Sequence, residues 1–175
     1  MENWGCAEFE GHMEVEVLIQ SILGQHWEST LDKVMPIVNA FSFTEVKRKA
    51  TYIEFQNSDD QAICIYCDGE QVEWIQFIAL YEEGIVPDTP FNPFEGRINA
   101  LFEVCNRQFA STLSERRVPY TFNPKSRETG FHSDKEVEYA LTAYSFILAC
   151  KDNADEEGGW LEIRVRFSSS TVPAG

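Results

Sequence analysis

Two segments of this chain are apolar on both sides when laid out as strands. In 72–81, Val72, Trp74, Ile78 and Leu80 point one way, and Ile75, Phe77, Ala79 and Tyr81 the other. In 139–150, part of one long strand read over 137–150, Leu141, Ala143, Ile147 and Ala149 oppose Ala140, Tyr144, Phe146 and Leu148. Strands of this kind belong in the middle of a sheet with both faces covered. The helices of a chain this short can cover one face. The other must be covered by long loops, by curvature of the sheet or by a second chain, and a homodimer is expected on that ground.

The remaining elements follow from periodicity and punctuation. Phe94, Ile98, Leu101, Phe102, Cys105 and Phe109 recur at helical spacing, which predicts a helix over about 93–113. Asn92 is placed to cap it, Pro93 to occupy its first position and Glu95 to close a capping box. Ahead of it lies an antiparallel meander: Tyr52–Gln56, a turn at 57–60, Ala62–Cys67, a tight turn at 68–70, and Gln71–Glu82. Behind it come a strand at 118–122, a polar loop at 123–134, the long strand 137–150 and a final strand, Trp160–Phe167. In that last strand Leu161, Ile163, Val165 and Phe167 alternate with Glu162, Arg164 and Arg166, so one face is buried and one wet. Upstream, Val15, Leu18, Ile19, Ile22 and Leu23 followed by Gly24 fit a helix, with a strand reading of "MEVEVLI" competing. Ser29 with Asp32 marks the start of another helix, made irregular by Pro36. The expected fold is therefore α+β. It has a mainly antiparallel sheet of about six strands, one long helix, one or two N-terminal helices and the order α-βββ-α-βββ. Residues 1–168 are read as a single domain and 169–175 as a frayed tail.

Charge is the strongest bulk constraint. The net charge is −15, and it is uneven. Residues 1–115 hold 20 acids and 6 bases, residues 116–175 hold 9 and 8, and from Ala50 to Gly96 there are ten acids and no Lys or Arg. Such a surface repels nucleic acid and anionic membranes and attracts a basic partner. No apolar run reaches the ~20 residues of a membrane-spanning helix. The acidic start "MENWGCAEFEGHMEVEV" lacks the basic and apolar regions of a signal peptide. Five scattered cysteines do not resemble a secreted disulfide framework. A cytoplasmic protein is expected.

Little else reads as chemistry. Cys64 and Cys67 form a C-x-x-C, but a structural zinc needs four ligands and no second pair exists. A redox pair would sit at a helix start, where these end a strand, so both are read as buried structural thiols. His26 and His132 are candidate general bases for a small-ligand pocket or an enzyme, with no nucleophile or carboxylate motif beside either. Arg116-Arg117 after the main helix either binds an anion or complements the helix dipole. No phosphate loop, nucleophile elbow or zinc-protease motif is present. No cofactor or metal is expected.

The leading expectation is a non-enzymatic acidic module that occupies a basic site on a partner protein, as inhibitors, immunity proteins and anti-defence proteins do. Its partner-binding residues would be the hairpin-turn acids Asp59, Asp60, Asp68 and Glu70, together with Glu82, Glu83 and Asp88 before the helix. Steering by these acids and anchoring by nearby aromatics is the pattern of a protein interface. The alternatives are an acidic dimer resembling secretion chaperones at the level of element order, and the His26 or His132 pocket.

Overall fold

A computed structural model describes residues 13–58, 61–82, 97–129, 132–152 and 159–168. Two short helices, α1 (Val15–Leu23) and α2 (Leu31–Asn39), lead into four strands, β1 (Thr44–Lys49), β2 (Tyr52–Ser58), β3 (Gln61–Asp68) and β4 (Gln71–Glu82). Helix α3 (Arg97–Glu115) follows, and then β5 (Thr121–Thr129), β6 (His132–Ala140), β7 (Tyr144–Asp152) and β8 (Gly159–Phe167). The strands form one antiparallel sheet in the order β1-β2-β3-β4-β8-β7-β6-β5. Each half is a meander of four neighbours, and the halves meet where β4 pairs with β8.

The α+β class, the long helix and the antiparallel sheet agree with the sequence reading; the sheet has eight strands where about six were expected. Strand β1 was missed because all six of its residues are exposed, leaving no alternation to read. Much of the expected polar loop at 123–134 is strand, with β5 and β6 paired from Thr121↔Ala140 to Thr129↔His132. The expected single strand 137–150 is two strands folded back at 141–143, a turn with neither Gly nor Pro to announce it. The proposed cap at Asn92, Pro93 and Glu95 lies outside the described residues.

Helix α1 takes the helical reading of its segment, burying Leu18, Ile19, Ile22 and Leu23. At the end of α3, Arg117 adopts φ 56°, and Val118 N–H reaches back to the Leu113 carbonyl at 3.0 Å, closing the last turn as a glycine commonly does. Arg116 donates to the Leu23 carbonyl at 2.8 Å, satisfying an orphan acceptor at the end of α1. The Arg-Arg pair thus includes a helix-to-helix tie.

The faces of β4 differ from a simple alternation. Tyr66 pairs with Trp74 but Cys67 with Val72, so Glu73 is a bulge; Ile78 pairs with Glu162 but Leu80 with Leu161, so Ala79 is a second. Each bulge inverts the side-chain parity. Val72, Ile75, Phe77 and Leu80 therefore share the core face, while Trp74, Gln76 and Ile78 face the other way. The core face consists of nearly pure apolar rows: Ile53, Ile65, Ile75, Val165 and Phe146 in one, Phe55, Ile63, Phe77, Ile163 and Leu148 in the next. All three helices pack on this side. Trp27 and Phe41 close on Phe77, and Phe109 of α3 closes on Tyr139 and Phe146. The Tyr139 hydroxyl donates to the Asn106 carbonyl at 3.0 Å, fixing α3 across β6.

Candidate functional site

No helix among the described residues packs on the other face of the sheet. Register assigns it three rows that cross all eight strands, and a shorter fourth that includes Trp160 on β8 and Lys151 on β7. The first begins Lys49, Tyr52, Tyr66, Trp74, Arg166; the middle row Lys47, Glu54, Cys64, Gln76, Arg164; the third Thr44, Gln56, Ala62, Ile78, Glu162. On β7 the same rows continue as Ser145, Ile147 and Ala149.

The three rings of the first row stand against one another. Tyr66 and Trp74 are stacked with centroids 4.0 Å apart, and Tyr52 lies 5.1 Å from Tyr66. The Arg164 guanidinium sits 5.9 Å from the Trp74 ring. Tyr66 and Trp74 thus each turn one ring face on the other, while Tyr52 is tilted by 57° to Tyr66. Around the rings the charges are paired. Arg164 bonds Glu162 at 2.9 Å and approaches Glu136 at 3.5 Å; Arg166 bonds Glu138 at 2.7 Å; Gln76 bonds Glu162. Long side chains shield the small ones, so Ile147 is 1% exposed and Cys64 4% without a helix above them.

The expected partner-binding acids fall in different places. Asp68 and Glu70 flank Gly69, which takes φ 59° at the first central position of the β3–β4 hairpin. Both are exposed. Glu82 lies at the opposite end of β4, about 35 Å away along the strand. Asp59, Asp60, Glu83 and Asp88 lie outside the described residues. The hairpin end gathers other acids that the sequence did not single out. Thr30 bridges to Gln71, Leu31 N–H bonds the Glu70 carbonyl at 2.9 Å and Val72 N–H the Ser29 carbonyl at 2.7 Å. This brings exposed Glu28 and Asp32 beside Asp68, Glu70 and the bulged Glu73, with Lys33 among them. The signal was not local, since it depends on the α1–α2 link docking on a hairpin some forty residues later.

The histidines are apart. His26 packs edge-on against Tyr144 at 6.5 Å and lines an open cleft of about 440 Å³ with Thr30, Lys33, Ala143 and Phe167. His132 is at the far end of β6, where Ser133 pairs with Asp152, about 25 Å along β7 from Tyr144. They belong to no common site.

Cys64 and Cys67 lie three positions apart on a strand and therefore point to opposite faces. Cys64 contacts the Tyr52 hydroxyl at 3.3 Å on the helix-free side, and Cys67 belongs to the core. They cannot share a metal or a disulfide without the strand coming apart. Among the described residues no three His, Cys, Asp or Glu side chains are grouped to hold a metal ion. Burial raises the thiol pKa of Cys64, Cys67 and Cys105, the last to about 12. A raised thiol pKa favours folding while the thiol stays neutral. For Cys105 that contribution is intact below the ordinary value of 9 and falls away between there and about 12. At pH 8 the native thiols should react with iodoacetamide at least tenfold more slowly than in urea, read by mass spectrometry. Equal rates at Cys105 would show that it is accessible as thiolate in the native protein.

No helix among the described residues is long and apolar enough to cross a membrane. Comparison of the chain with protein-family models, with curated proteins and with solved structures gives no match.

Proposed function

We propose that the chain is a non-enzymatic protein-binding module that docks through negative charge on a basic site of another protein, as inhibitors and immunity or anti-defence proteins do. The observation that carries this reading is the acidic end of the molecule. There the β3–β4 hairpin, the α1–α2 link and the start of α2 bring five exposed acids, Glu28, Asp32, Asp68, Glu70 and Glu73, together, outnumbering Lys33 and the Arg48 beside the neighbouring β1–β2 turn. These acids are exposed and share one sign of charge, so the repulsion among them is relieved when a cationic surface approaches. With the overall charge of −15, they favour fast, salt-dependent association.

The test is a charge reversal. Immobilised protein is used to capture a basic partner, and association is then timed at 20–300 mM salt for the native chain and for an Asp68→Lys, Glu70→Lys, Glu73→Lys variant. The on-rate of the variant should fall by about tenfold or more at low salt, and its salt dependence should flatten, because charges are screened over ~10 Å at 0.1 M. Stability should change by no more than about 0.5 kcal/mol, as the side chains are exposed. If on-rate and salt slope both stay as in the native protein, the acids serve solubility and recognition lies elsewhere.

A further inference from the structure

We infer that the helix-free face of the sheet is the contact surface of a symmetric homodimer, its twofold axis running across the strands along the middle row, through Cys64. Several observations lead there independently of the acidic end.

The first is size. Eight strands at ~4.8 Å spacing and three rows of side chains make a face of roughly 34 by 20 Å, about 700 Å². A stable interface of standard size buries about 800 Å² from each partner.

The second is relief. The first and third rows lie at equal distances on either side of the middle row, so a twofold axis along that row lays one on the other. The first row is tall over β2, β3 and β4, with Tyr52, Tyr66 and Trp74. The third is low at the same strands, with Gln56, Ala62 and Ile78. Each ring of one copy therefore meets a smaller side chain of the other: Tyr66 over Ala62 and Trp74 over Ile78, twice by symmetry. On β8 the same operation sets Arg166 opposite Glu162. Tall against low and cation against anion is the self-complementarity that an isologous contact requires.

The third is charge. Among the residues whose side chains are described, Lys47 and Lys49 on β1, Lys151 on β7 and the two arginines of β8 lie on this face, nearly balanced by Glu54, Glu136, Glu138 and Glu162. In a chain of net charge −15 a surface close to neutral is the one on which two copies can approach. The middle row carries its charges already matched, Arg164 to Glu162 and Glu136, Glu138 to Arg166, and Lys47 in register with Glu54. A twofold axis therefore does not bring bare like charges together. The acidic hairpin end is left at the perimeter of the dimer.

The experiment is sedimentation equilibrium at about 50 µM, supported by a complementation pair. The native chain of 20.1 kDa should sediment at twice that mass, near 40 kDa. Trp74→Glu and Ile78→Lys each place a charge against an apolar partner, and each variant alone should be monomeric, its self-association weakened about 100-fold or more. Mixed in equal amounts they should sediment near 40 kDa again. In the mixed dimer the new carboxylate faces the new ammonium, and the second contact keeps the native Trp74 over Ile78. Both positions are partly buried and outside the core cluster, and circular dichroism checks that both variants fold. Should either fail to fold, amine labelling of Lys47 and Lys49 in the native protein decides: labelling slower at 50 µM than at 0.1 µM supports the dimer, and equal labelling overturns it. A native monomer at 50 µM overturns the inference. So does a dimer that both folded single variants leave intact, or a mixture that stays monomeric.

Discussion

Replacing Phe77 by alanine should lower the stability of the protein by about 3–5 kcal/mol, the range for removing a fully buried ring. Phe77 has no exposed surface and lies on the strand that joins the two halves of the sheet. Its ring meets Trp27 from the α1–α2 link at 5.9 Å and Phe41 from beyond α2 at 5.4 Å. Within the sheet it stands between Ile63 and Ile163. Truncation leaves a void bounded by three separate segments, and Trp27 cannot follow it inward while its indole N–H is held by the Ile22 carbonyl at 3.0 Å. Urea unfolding followed by tryptophan fluorescence is the measurement. A loss below about 1.5 kcal/mol would mean that the helical layer settles onto the sheet more freely than this packing implies.

Gln61→Leu should cost about 2–4 kcal/mol, although leucine nearly matches glutamine in volume. Gln61 is buried and its amide is fully engaged. Its Nε2 donates to the Ala79 carbonyl at 3.0 Å and the Met13 carbonyl at 2.7 Å, while Oε1 accepts from Met13 N–H at 2.9 Å and Asn57 Nδ2 at 2.9 Å. Ala79 is the bulged residue of β4, so the side chain stands in where the ladder is interrupted. Leucine strands these groups at a site with little water, which is dearer than the loss of the bonds themselves. The same titration reads the loss, and hydrogen exchange at the Met13 amide should speed up by more than global destabilisation accounts for. A change under 1 kcal/mol with unaltered exchange would mean that the surroundings re-pair without the amide.

The sequence carried the fold class because that depends on local signals: the helical spacing around Phe102, Cys105 and Phe109, the Gly69 hairpin, and the alternation of Leu161 to Phe167. What it did not carry depends on partners distant in the chain. The exposed polar run of β1 becomes a strand only because β2 offers it a ladder, and Thr121–Thr129 for the same reason with β6. The side on which Trp74 lies could not be read from alternation, since the bulges at Glu73 and Ala79 are set by how β3 and β8 pair with β4. The candidate site suffers most from this. Clustering Glu28 and Asp32 with Asp68 requires the Thr30–Gln71 bridge, and the tall and low rows exist only once register is known.

The order of strands also bears on how the chain reaches its fold. Every pairing but one joins strands that are consecutive within a half, and closes a short loop. The exception is β4 with β8, where Gln76 and Glu162 are 86 residues apart. The entropy of bringing such distant segments together is lost before the contact repays it, so each meander should organise as a unit and the seam should zip last. Ile65→Val, inside the first meander, is then expected to slow refolding, whereas Ile163→Val at the seam should chiefly hasten unfolding. Stopped-flow kinetics giving the seam the larger share of its energy in the transition state would reverse that order. While the seam is open, each half exposes the unpaired edge of a central strand, β4 or β8, and one half can meet the complementary half of another molecule. Exchange of halves between chains is thus the misassembly to which this topology is most open.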